Sequence, residues 1–114
     1  MKRLSIGKIR GLQQIANPDG IFAMCAMDHC GSLRSMIDEK HPGEVNCDEM
    51  VECKLELCSA LAKYASAVLI DPIFSAAQCI SHGALPSDTG LLISLEATSY
   101  GGGKEYRLTK LLDG

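Results

Sequence analysis

Three acidic residues each close a short apolar run. Asp28 follows Ile21-Phe22-Ala23-Met24-Cys25-Ala26-Met27, Asp71 follows Ala67-Val68-Leu69-Ile70, and Glu96 follows Leu91-Leu92-Ile93-Ser94-Leu95. A carboxylate in such a position can move a proton or accept a hydrogen bond from a hydroxylated ligand. It can equally cap the helix that comes next, by accepting N–H bonds at the favourable end of the helix dipole. At Asp71 a turn opening competes as well, because Pro72 follows it. His29, beside Asp28, adds an imidazole that titrates near neutral pH and suits a proton carrier or hydrogen-bond donor. His41 and His82 sit next to turn residues and are given no role.

The elements that carry these acids can be read from the spacing of apolar residues. The run of seven at 21–27 is short for a buried helix and apolar on both faces, as in a strand covered on both sides. The runs at 67–70 and 91–95 read the same way, and Pro72 ends the pairing of the second. Before the first run, Leu4, Ile9, Leu12 and Ile15 form a helical stripe that Asn17-Pro18-Asp19-Gly20 stops. Between the first two runs, residues 31–38 form a brief helix and a stronger one starts at Asn46. Asn46 and Glu49 make a capping box, and Met50, Cys53, Leu57, Leu61 and Tyr64 form the expected covered side. Glu49, Glu52, Lys54, Glu56 and Lys63 are expected at the polar positions. A further short helix is expected over 74–80, before the turn at Gly83-Ala84-Leu85-Pro86.

Strand, helix, strand, helix, strand is the α/β pattern of a parallel sheet with right-handed crossovers. All three strands then point the same way, and Asp28, Asp71 and Glu96 gather on one rim, where ligands of such folds collect. Gly101-Gly102-Gly103-Lys104 is not a phosphate-binding Walker loop, since Glu105 follows the lysine, and it reads as a flexible loop.

Composition bounds the rest. The 114 residues make one domain at most. With 14 acidic against 11 basic side chains, a net charge of -3, three Tyr and two Phe, nucleic-acid binding is disfavoured. No apolar run reaches the roughly 18 residues of a membrane span. The basic start is broken by Gly7, Lys8 and Arg10, unlike an export signal, so a cytoplasmic protein is expected. The six cysteines, at 25, 30, 47, 53, 58 and 79, contain no Cys-x-x-Cys and are expected as reduced, mostly buried thiols with no metal.

Three segments carry a resemblance: Gly20-Ile-Phe-Ala-Met-Cys-Ala-Met-Asp28-His29-Cys30-Gly31-Ser32-Leu33, then Lys63-Tyr64-Ala-Ser-Ala-Val-Leu-Ile-Asp71-Pro72, then Gly90-Leu-Leu-Ile-Ser-Leu-Glu96 with Tyr100. In this order and spacing the chain resembles the class I tagatose 1,6-bisphosphate aldolases, relatives of the sulfofructose-phosphate aldolases. The resemblance implies an eight-stranded (β/α)8 TIM barrel. It also implies reversible cleavage of a ketose 1,6-bisphosphate into two triose phosphates through a lysine Schiff base, with no metal or other cofactor. A barrel of this kind takes roughly 250 residues, so residues 1–114 are expected to be the amino-terminal portion of one barrel domain, with three of its β/α units.

By the same resemblance Asp28 matches the catalytic strand-one aspartate near the imine. His29, Asp71, Glu96 and Arg34 are expected to bind substrate. The Schiff-base lysine and its acid/base glutamate belong to later strands, so the isolated chain is expected to be inactive. Cys30 stands where the family usually has Arg, and Arg34, one helical turn on, replaces that guanidinium in part. Two other readings compete: a non-catalytic, truncated paralogue that assembles through its open sheet edge, and a redox or metal module built on the thiols.

Overall fold

The computed structural model describes residues 3–95. Helix α1, Ile6–Ile15, begins where the Ser5 hydroxyl accepts the Lys8 amide, and ends in the expected turn. There the Asn17 side chain accepts the amides of Asp19 and Ile21, and Gly20 takes a φ of 77°, which a side chain would resist. Strand β1 is Met24–Ala26, α2 is Gly31–Ile37 and α3 is Cys47–Leu61, continued by a single 3-10 turn over Ala62–Tyr64. Strand β2 is Ala67–Ile70, α4 is Ala76–Ser81 and β3 is Gly90–Ile93.

The three strands form one parallel sheet in the order β1-β2-β3, with Met24 opposite Ala67 and Ala67 opposite Gly90. All three therefore end on the same side. The ladder continues past the strands, where the Met27 amide donates to Leu69 O at 2.7 Å and the Ser94 amide to Ile70 O at 3.0 Å. The expected α/β alternation and common strand direction are thus present.

Helices α3 and α4 cover one face of the sheet. Cys58 and Ala62, at the end of α3, and Cys79 of α4 pack with Met27, Val68 and Ile70. A second cluster, Leu33, Val45 and Met50, seats α2 and the loop after it on α3. By alternation along the strands, Met24, Ala26, Leu69 and Leu92 point to the opposite face. Among the described residues, the end of α1 reaches that face at Gly90. A Cβ on Gly90 would lie 2.8 Å from Ile15 Cα and overlap the Gln14 carbonyl, so glycine permits this contact. Ser66 fastens it, donating to Ile15 O at 2.7 Å and accepting the Ala23 amide at 2.9 Å.

Three expectations need correction. The apolar run at 21–27 is not a strand covered on both sides: only Met24–Ala26 pairs along its length, and Met24 is 48% exposed. The reason is that the face opposite α3 and α4 is only partly covered by the described residues, together with a partner, β2, only four residues long. Helix α3 does begin with the expected capping box, Asn46 Oδ1 accepting Glu49 N and Glu49 Oε2 accepting Asn46 N. Its covered stripe, however, runs Met50, Lys54, Cys58 and then Ala62, at steps of four, so Lys54 is buried and not a solvated position. Leu61 and Tyr64, expected on the covered side, are exposed: the buried stripe passes through Cys58 and Ala62, which leaves Leu61 beside it, and Tyr64 ends the 3-10 turn two residues past Ala62.

The stripe of α1 is exposed too, with Leu4, Ile9 and Leu12 facing outward. Among the described residues no helix is long and apolar enough to cross a membrane.

Candidate functional site at the carboxyl ends of the strands

Asp28 and Asp71 lie just beyond β1 and β2, at the same end of the sheet, and their environments differ completely. Asp28 is half-buried, and among the described residues its carboxylate makes no hydrogen bond or ion pair. Its backbone carbonyl accepts the Cys30 thiol at 3.6 Å. His29 is exposed. Glu96 and the glycine-rich stretch at 101–103 with Lys104 lie outside the described residues.

Asp71 is 2% exposed and both of its carboxylate oxygens are engaged. Oδ1 accepts the amides of Ile73 at 3.0 Å and Phe74 at 2.6 Å, the pattern of an Asx turn. Oδ2 accepts the Ser75 hydroxyl at 2.7 Å and the Lys54 ammonium at 2.8 Å. Burial pushes this carboxyl up, but the bonds from Lys54, Phe74 and Ser75 outweigh it and hold the group below its ordinary 3.8. A ligand therefore meets no open oxygen at Asp71.

Lys54, the residue that hydropathy assigns to water, joins the two strand ends. Its ammonium donates to Met27 O at 2.6 Å and to Asp71 Oδ2 at 2.8 Å, with the side chain almost wholly enclosed. The sequence held a signal for this: Met50, Lys54, Cys58 and Ala62 recur at the helical step, so a lysine sits in the middle of an apolar stripe. Such a lysine needs a buried acid, and Asp71 supplies it.

Arg34 is likewise engaged within the protein. Its guanidinium donates to the Val45 carbonyl and lies 5.8 Å from the centre of the Phe74 ring, so it connects α2 to the turn after β2. The thiols divide by depth. Cys58 and Cys79 are buried, Cys25, Cys30 and Cys53 are half-buried, and Cys47 is exposed. Burial, then the neighbouring Cys58 thiol, pushes Cys79 up to about 12, and burial raises Cys58 as well. Such thiols stay protonated and are poor nucleophiles. Among the described residues no three His, Cys, Asp or Glu side chains gather as a metal site.

Two concavities, of about 490 and 550 Å³, open at the other end of the sheet, beside α1. They are lined by residues such as Gln13, Ala16 and the exposed Asp88 and gather no buried charge. The rim with Asp28 remains the better candidate, since it unites an open carboxylate, an open imidazole and a rigid support.

No family model matches the chain. Among curated proteins it is 29% identical over 106 residues to the tagatose 1,6-diphosphate aldolase of Lactococcus lactis subsp. lactis, covering 93% of this chain and 32% of that protein. The tagatose 1,6-diphosphate aldolase of Staphylococcus haemolyticus (strain JCSC1435) is 29% identical over 105 residues, 92% of this chain and 31% of its own. That of Staphylococcus aureus (strain JH9) is 30% identical over the same number of residues. The resemblance carried by the three strand-end segments is thus found along nearly the whole chain, and the chain spans about a third of the length of these curated relatives.

The Asp71 environment fixes a pH dependence. A carboxyl held low by folding stabilises the native state above its unfolded value near 3.8, and this contribution is lost as pH falls through the lower, folded value. Asp71→Asn is expected to cost about 3 kcal/mol at pH 7, because it leaves Lys54 buried without its counter-charge. Urea denaturation at stepped pH checks this: the gap between parent and variant should be constant above pH ~5 and shrink below ~4. A gap independent of pH down to ~2 contradicts the assignment.

Proposed function

We propose that the chain forms the first three β/α units of a class I aldolase barrel that cleaves a ketose 1,6-bisphosphate reversibly into two triose phosphates. Tagatose 1,6-bisphosphate is the substrate to which the relatives' names point. The observation that carries this is the joint one: three parallel strands in chain order, with Asp28 and Asp71 at one end, in a chain similar to these aldolases over 93% of its length. The partly exposed apolar face of Met24, Ala26, Leu69 and Leu92 supports the barrel part, since a barrel turns one face of its sheet inward and packs it with side chains.

In this reading Asp28 is the catalytic carboxylate near the imine and moves protons as the carbon–carbon bond breaks. His29 hydrogen-bonds the sugar phosphate, and Glu96, three residues past β3 in sequence, binds it as well. Asp71 and Arg34 serve the same rim by holding its loops, because each is engaged by the protein itself. The reaction needs a lysine amine free to attack the ketone, lose water and form the imine. Lys54 is not suited to that step: it is 2% exposed and bonded to a carbonyl and a carboxylate. Residues 3–95 therefore contribute Asp28 to the chemistry, with the Schiff-base lysine and its acid/base glutamate expected on later strands. A cytoplasmic setting, where thiols stay reduced, suits the six cysteines.

The test is titration of the isotopically labelled chain with dihydroxyacetone phosphate, followed by NMR. Amide shifts are expected at Asp28, His29 and Cys30, with affinity falling about tenfold or more in Asp28→Asn, as for loss of a charge-assisted bond. Borohydride with a ketose bisphosphate is expected to trap no covalent adduct on these 114 residues. Shifts confined to the opposite end of the strands, or a lysine trapped by borohydride, contradict the proposal.

A second reading, association of the chain with itself through the sheet edge, is favoured by one observation. The β1 edge is bordered by Ile21, Phe22 and Met24, exposed at 59%, 49% and 48% among the described residues. Light scattering is expected to show a mass above 12.2 kDa that rises with concentration, and a constant monomeric mass rules this reading out.

A further inference from the structure

The carbonyl that Lys54 holds is the one in the peptide group joining Met27 to Asp28. A peptide group is planar and rigid, so an anchored carbonyl oxygen also fixes the direction in which the chain enters Asp28. The Met27 amide, on the other side of the same residue, is held by Leu69 O at 2.7 Å. Met27 is thus clamped fore and aft, by β2 and by Lys54, one residue before the open carboxylate.

The second bond of the same ammonium goes to Asp71, whose other oxygen organises the amides of Ile73 and Phe74. Phe74 in turn lies under the Arg34 guanidinium. A single side chain rising from α3 therefore links the loop after β1 to the turn after β2. Among the described residues Lys54 is the buried cation that joins these two loops, and loops joined through one such group open together.

We propose that Lys54 is the positioning residue of the rim: it sets the Asp28 carboxylate in register with the turn after β2, and so couples the ligand-facing loop to the Asp71 turn. Asp71 acts on Asp28 through Lys54, without touching it. This assignment rests on the geometry of the clamp and not on the aldolase reading, so it stands or falls whichever ligand the rim takes.

Amide hydrogen exchange on the full chain tests it, with Lys54→Met, Asp71→Asn and the two combined. Lys54→Met is expected to speed exchange of both the Met27 and Phe74 amides by a common factor of about ten or more. Asp71→Asn is expected to speed Met27 as well, although Asp71 makes no contact with that amide. Met27 and Phe74 are expected to be accelerated at least about tenfold more than the amide of Ala62, bonded to Cys58 O within the helix, whose change reports the loss of global stability. Should a single variant fail to fold, the combined one removes both charges together and gives the same readout at Met27. A Met27 amide indifferent to Asp71→Asn, or an equal acceleration at every amide including Ala62, overturns the proposal, the latter showing a contribution to global stability alone.

Discussion

A lysine and an aspartate that meet in an apolar interior set the terms for the rest of this molecule. Removing two charges from water costs several kcal/mol each, roughly, and their mutual attraction offsets this only when the geometry is tight and the remaining hydrogen-bonding capacity is used. The geometry is tight here, and most of the remaining capacity is used. The ammonium takes a backbone carbonyl as its second acceptor, and the carboxylate takes two amides and a hydroxyl. A pair of this kind is seldom the reason a domain is stable. Its value is that it tolerates few alternative arrangements, so the ends of β1 and β2 and the body of α3 hold one relative position.

That constraint separates the two acids at the rim. Chain topology brings Asp28 and Asp71 to the same end, and the strand-end rule treats them alike. The ion pair distinguishes them: Asp71 is buried and engaged, while Asp28, one residue past the clamped Met27, presents an open carboxylate. A buried, fully engaged acid beside an open carboxylate is the kind of support that a preorganised site requires. The other end of the sheet shows a different device, with Gly90 and Ser66 letting the end of α1 lie directly on the strands.

Much of this was legible in the residues. The apolar runs ending in acids marked all three strands and their common direction, the Asn46–Glu49 box marked the start of α3, and Asn17 with Gly20 marked the turn after α1. Strand lengths were less legible, since the run at 21–27 is apolar throughout and only a partner strand decides how much of it pairs. The position of Lys54 was hidden for a different reason. Hydropathy sorts lysine to the surface, and only the step of four from Met50 to Cys58, taken with an acid elsewhere in the chain, indicates the interior. The roles of Asp71 and Arg34 depend on partners that sequence spacing does not reveal, a lysine from another element for Asp71 and a backbone carbonyl for Arg34.

The most direct measurement is a double-mutant cycle on Lys54 and Asp71, with stability taken from urea denaturation of the parent, Lys54→Met, Asp71→Asn and the double variant at pH 7. If the buried pair governs the strand ends, each single change is expected to cost about 3 kcal/mol or more, because it strands the partner's charge in the interior. The double change should then cost little more than one of them, giving a coupling of about 2 kcal/mol or more. Losses that simply add, with coupling within about 0.5 kcal/mol of zero, would show that the two side chains do not act as a unit.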